Sequence, residues 1–172
     1  MLHESNEKSK VEICDGRISF NDIYVKNNIP LDLVESIKNA DILLIPHEDF
    51  KGFKDCLFPE QTYQFFSYLK KEALKHDLAV DMSVSDDEYK ELELHADVVN
   101  IAQIIIQWAI FPVVTSMIAA YLYELVKQRK KKMNASIKIS VEQKGKTKTI
   151  NFEGDIESFE RAMKSINENI FE

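Results

Sequence analysis

Two short stretches of this 172-residue chain gather side chains that could do chemistry: His47-Glu48-Asp49 and Ser85-Asp86-Asp87-Glu88. A histidine beside carboxylates can act as a general base, and clustered carboxylate oxygens suit a hard divalent ion such as Mg²⁺ or Mn²⁺. Each stretch follows an apolar run of strand character, Ile42–Ile45 in one case and the alternating Leu78, Val80, Met82 and Val84 in the other. Two such strands joined through a helix form a βαβ unit, parallel and right-handed, and both stretches then lie at the carboxyl edge where open α/β sheets bind ligands. His47, Glu48, Asp49, Asp86 and Asp87 are therefore the candidate catalytic residues of a small hydrolase or transferase working around a divalent ion.

A simpler reading competes with that one. Ser85 and Glu88 match a capping box, Asp86 and Asp87 then sit at the positive end of a helix beginning at Asp86, and a His-Glu-Asp loop is ordinarily just solvated. Cys56 could be a nucleophile with His47 as its base, yet only Lys51 and Lys54 lie near it in sequence to lower its pKa. The chain contains no HExxH, GxSxG, GxxxxGK[ST] or GxGxxG, and its four glycines leave little for a phosphate-cradling loop. No metal ligands are assigned, no cofactor is expected, and a non-enzymatic role is favoured.

A second candidate surface is the basic run Lys127, Arg129, Lys130, Lys131 and Lys132. It could bind an anionic surface, although no aromatic residues interleave with the charges, and a solvated helix end complementing its negative pole explains it as well. The run closes the most unusual segment of the chain. From Val98 to Tyr123 there is no charged residue. Length and apolarity make residues 98–126 a membrane-span candidate with a cytoplasmic basic flank. Against it, Gln103 and Gln107 lie one helical turn apart as a polar stripe, and Pro112 divides the run into pieces too short to span. The favoured reading is a central apolar helix, kinked or split at Pro112, sandwiched by other elements or by a second subunit.

The remaining elements must position these groups. Asp15-Gly16 between Val11–Cys14 and Arg17–Phe20 predicts a hairpin with a type I′ turn. Pro30 followed by Leu31, Val34 and Ile37 predicts a short helix. Residues 60–76 read as a helix with Tyr63, Phe66, Leu69 or Lys70, and Ala73 on one face. Ile137, Ile139 and Val141, then Lys144-Gly145, then Ile150 and Phe152 predict a second hairpin with Lys146, Thr147, Lys148 and Thr149 on its exposed side. Asp155 caps a helix carrying Ile156, Phe159, Met163, Ile166 and Ile170. That ββα unit is too small to stand alone and needs docking, against the central helix or another chain.

The expected organisation is α+β: a flexible terminus over 1–10, an acidic α/β module over 11–97, the apolar helical segment with its basic end over 98–132, and a ββα tail over 133–172. Residues 1–97 carry 11 Lys and Arg against 21 Asp and Glu, a local net charge of −10 inside an overall −7. That balance argues against DNA as a partner. No export signal is recognisable, and Cys14 and Cys56, in no CxxC pair, suit reduced thiols in the cytoplasm better than a single disulfide. The expected function is an intracellular interaction or regulatory protein, binding itself or another protein through apolar helical surface. The alternative is a membrane-tethered protein with a cytoplasmic tail.

Overall fold

The computed structural model describes residues 9–25, 31–46, 57–85, 89–92, 98–130, 132–166 and 170–171. In chain order they form β1 (Ser9–Asp15), α1 (Phe20–Tyr24), α2 (Leu31–Lys38), β2 (Ile42–Ile45), β3 (Phe58–Pro59), α3 (Thr62–Leu74), β4 (Val80–Met82), β5 (Glu91–Leu92), β6 (Val98–Asn100), β7 (Gln103–Gln107), α4 (Phe111–Arg129), β8 (Asn134–Gln143), β9 (Lys146–Asp155) and α5 (Ile156–Lys164), with a 3-10 turn over Trp108–Ile110. The class is α+β, as the sequence predicts.

One mixed sheet runs β1-β9-β8-β7-β2-β4, and β6 also pairs with β8. The β2–α3–β4 unit is parallel, with Ile42 opposite Val80 and Leu44 opposite Met82. Ile42–Ile45 is buried along its whole length, which is why it reads as one unbroken apolar run. The β8–β9 hairpin turns at Lys144 (φ 50°) and Gly145 (φ 80°), the left-handed pair that a two-residue type I′ turn requires. Asp155 accepts the Glu157 N–H at 3.1 Å and starts α5, which buries Ile156, Phe159 and Met163 and docks on the sheet and on α4.

Two apolar clusters cover the sheet. On one face α3, α4 and α5 pack over Ile42, Leu44, Ile104, Ile106, Ile137, Ile139, Val141, Ile150 and Phe152. On the other, α1 and α2 bring Phe20, Ile23 and Ile37 against Leu43, Ile45 and Ile105. The second layer is short, so among the described residues no helix covers the opposite face of β8, β9 and β1.

Several expectations need correction. The Asp15-Gly16 hairpin does not form: Ser19 and Asp22 build a capping box that starts α1 at Phe20, and β1 pairs with β9 instead. Gly16 is needed for close approach, because a Cβ there would lie 2.5 Å from Thr147 Cγ2. The helix expected from Asp86 is not continued, since Glu91–Leu92 is a strand paired with Phe58–Pro59; Asp86–Glu88 themselves lie outside the described residues. Tyr63 is not on the buried face of α3, which is formed by Thr62, Phe65, Leu69 and Ala73. Residues 98–107 are not helical. Gln103 and Gln107 share a face of β7, because an interval of four suits both periods, and the β-branched Ile104-Ile105-Ile106 settles it as a strand. Pro112 stands in the first turn of α4, where its missing N–H costs nothing, and so kinks no helix.

Helix α4 buries Phe111, Val114, Thr115, Met117, Ile118, Ala119, Tyr121, Leu122 and Leu125, leaving Pro112, Ser116, Ala120, Tyr123, Glu124 and Lys127 exposed. Among the described residues, Trp108–Arg129 is the one helical stretch long and apolar enough to cross a membrane by length and composition, and half of its apolar window is buried inside the fold.

Two stability changes follow. Leu122→Ala is expected to cost about 3 kcal/mol in urea unfolding, against less than about 0.5 kcal/mol for Ala120→Ser on the opposite face of the helix; equal effects would mean that α4 is not packed as described. Gly16→Ala is expected to cost about 1–3 kcal/mol, partly recovered when Thr147→Ala removes the obstructing methyl.

Candidate functional site

The uncovered half of the sheet is polar because strand alternation makes it so. Ala135, Ile137, Ile139 and Val141 of β8 point into the core, which turns Ser136, Lys138, Ser140 and Glu142 to the other face. Register then sets their neighbours: Ser136 lies opposite Glu153, and Glu153 opposite Lys10; Lys138 lies opposite Asn151, and Asn151 opposite Glu12. The two rows therefore read Ser136, Glu153, Lys10 and Lys138, Asn151, Glu12, so that two cations and two anions share a small grid with a hydroxyl and an amide. Among the described residues Lys10, Glu12, Lys138 and Glu153 make no ion pair.

Toward β7 the same face is closed by its own hydrogen bonds. Gln103 Nε2 donates to Ser140 Oγ at 3.0 Å, Ser140 Oγ lies 3.2 Å from Thr149 Oγ1, and Gln107 Nε2 donates to Glu142 Oε2 at 3.0 Å. Glu142 Oε1 also accepts the Phe20 N–H at 3.3 Å, fixing the start of α1 over the sheet.

Over the open grid stands the small parallel pair β3–β5. Together they line a cleft of about 460 Å³, with Lys10, Glu12, Asn100, Ser136, Lys138, Asn151 and Glu153 as its polar part and Leu57, Phe58, Pro59, Leu92, Ile101, Ile137 and Phe152 as its apolar part. The overhang is anchored through Glu91. Its carboxylate accepts the N–H of Tyr63 at 3.2 Å and of Gln61 at 3.4 Å, at the start of α3, and the hydroxyl of Tyr89. Gln61 holds a left-handed φ of 68° there. Tyr89 stacks on Phe58 with ring centroids 5.2 Å apart. Burial, then the hydrogen bond and negative charge of Glu91, push the Tyr89 phenol well above its ordinary value.

Among the described residues, none of the sequence candidates lines this cleft. His47, Glu48, Asp49, Asp86, Asp87, Lys51, Lys54 and Cys56 lie outside the described residues. What the structure supplies is the shared edge on which those stretches follow: β2 and β4 are parallel neighbours, and Ser83 donates its N–H to Leu44 O at 3.0 Å just before Ser85. Lys127 and Arg129 occupy the exposed last turn of α4, Lys130 closes it at φ 52° with its N–H on Val126 O, and Lys132 is exposed; Lys131 lies outside the described residues. Among the described residues no three His, Cys, Asp or Glu side chains stand close enough to hold a metal ion.

Sequence reasoning missed the cleft. Its floor comes from β1, β6, β8 and β9, and each residue alone is an ordinary polar strand position. The one legible signal is the alternation of Ser136, Lys138, Ser140 and Glu142 with apolar neighbours. Thr149, expected on an exposed side, is buried because β9 lies between β8 and β1.

Comparison with known protein families, curated proteins and solved structures finds no match for this chain.

Because the raised Tyr89 phenol favours the neutral form, its contribution to stability is complete below pH 10.0 and declines as pH rises beyond it. Glu91→Gln is expected to lower the Tyr89 midpoint in a phenolate absorbance titration while leaving it above the ordinary value, since burial remains. Stability should fall by about 1–2 kcal/mol as the start of α3 loses one of its two acceptor oxygens and the carboxylate charge. An unmoved midpoint would show that Glu91 does not hold the overhang.

Proposed function

We propose that this chain is a non-enzymatic interaction protein of the cytoplasm whose recognition surface is the cleft between the polar sheet face and the β3–β5 overhang. The observation that carries the reading is the grid of Lys10, Glu153, Lys138 and Glu12 together with Ser136 and Asn151. Unpaired charges of both signs at strand spacing, beside the apolar rim of Leu57 and Leu92, complement a polar, mixed-charge segment of a partner protein. Ser136 and Asn151 offer the hydrogen bonds that fix its orientation. Helix α4, the apolar element expected to bind a partner, packs on this chain's own sheet and against α3 and α5, and this supports placing recognition at the cleft.

The membrane-tethered reading draws on the length and composition of Trp108–Arg129. It would also require Ile118 and Leu122, both without solvent exposure, to leave the core for lipid. Full-length protein extracted and sedimented without detergent, and not floating with phosphatidylcholine–phosphatidylserine vesicles, is the outcome consistent with the cleft reading.

The direct test is affinity capture from cell extract with matched baits. A partner of the cleft is expected to bind the native chain and to be lost by about tenfold or more with Lys138→Glu combined with Asn151→Ala, both on the solvent side of the sheet. An identical set of captured proteins from the native and variant baits would rule the cleft out as the recognition surface.

A further inference from the structure

We propose that two copies of this chain pair antiparallel through the free edge of β1, with the two-fold axis at Val11, joining their sheets into one. Hydrogen-bond parity fixes which groups point outward. Gly16, in register with Thr147, donates its N–H to Thr147 O at 2.8 Å. In an antiparallel ladder, residues turned toward the partner alternate with residues turned away. Lys10, Glu12 and Cys14 therefore bond β9, while Ser9, Val11 and Ile13 aim their N–H and C=O groups at the open side. Among the described residues the strand is terminal in the sheet, seven residues long, free of proline and exposed along nearly its whole length, whereas the opposite edge, β4, has three residues. An edge of that kind is a template for another strand.

Charge selects both the occupant and the register. A two-fold axis perpendicular to the sheet keeps apolar face beside apolar face only when it passes through a residue. At Val11, the outward-facing groups exchange bonds between Val11 and Val11, and between Ser9 and Ile13. Lys10 then stands directly opposite Glu12 of the second copy, twice over, in the non-hydrogen-bonded positions where side chains approach most closely. At Lys10 or Glu12, two like charges meet instead. At Ile13, Val11 faces Asp15 and no opposite charges pair. Lysine on an edge ordinarily repels a second copy of itself, but a Lys and a Glu two residues apart attract one across this axis. The row of Glu153 and Lys10 continues without a break into Glu12, Asn151 and Lys138 of the second copy. On the other face Val11 and Ile13, now 38% and 41% exposed, come together.

This pairing does not depend on the cleft reading, because its signature is mass alone. Sedimentation equilibrium of the full chain at micromolar concentration is expected to give twice 19.9 kDa. Val11→Pro removes an N–H that points away from β9, so the variant is expected to keep its circular dichroism and Tm and to sediment as a monomer. Glu12→Lys should weaken the dimer by about tenfold, and Lys10→Glu added to Glu12→Lys should restore it, because the exchanged charges again meet in opposite pairs. A native chain that is monomeric throughout that range, a dimer that survives Val11→Pro, or a double exchange that fails to restore association would each overturn the proposal. If Val11→Pro unfolds the chain, the two charge variants decide the matter alone.

Discussion

Strand β7 is the constraint on which the rest of the structure depends. It is bonded to β8 on one side and to β2 on the other, and among the described residues it alone joins the βαβ half of the sheet to the hairpin half. Ile104 and Ile106 face the large cluster, while Ile105 faces the cluster under α1 and α2. A strand buried on both faces can carry no charge without a large desolvation cost. The uncharged stretch from Val98 onward therefore reflects two successive internal elements, a two-faced strand and then the core helix.

Helix α4 is apolar around most of its circumference for a related reason. One side lies on the sheet, a flank meets α3 through Tyr121 against Phe65 and Tyr68 at 5.1 Å, and another meets α5. Tyr68 donates its hydroxyl to Met117 O at 3.2 Å, so the polar atom of that aromatic contact is satisfied within the layer. The strip that remains outside holds Pro112, Ser116, Ala120, Tyr123 and Glu124. Hydropathy along a sequence cannot separate a helix enclosed by protein on three sides from one enclosed by lipid.

What could be read from the chain alone was whatever a local constraint dictates. Lys144-Gly145 needs left-handed backbone, Asp155 needs the N–H of Glu157, and Ile42–Ile45 has no polar face to offer; each was legible for that reason. Asp15-Gly16 carries the same turn signal, and there the local preference lost to Ser19 and Asp22 and to a strand partner over 130 residues away. The Gln103 and Gln107 spacing fits both helix and strand; the β-branched Ile104-Ile105-Ile106 between them favours the strand, and the hydrogen bonds to Ser140 and Glu142 come from a strand some 35 residues on. The cleft was invisible because strand register, which no single segment encodes, is what assembles it.

The pairing of β1 with β9 also orders events during synthesis. Ser9 meets Gly154 and Asp15 meets Lys148, so the earliest strand can join the sheet only after the last hairpin exists. Contacts of such sequence separation close slowly. Throughout elongation β1 has both edges open, and its alternation of Lys10, Val11, Glu12 and Ile13 must keep it soluble while it waits. The same short segment therefore serves as the final piece of the folding reaction and as the boundary that the finished molecule presents to its surroundings.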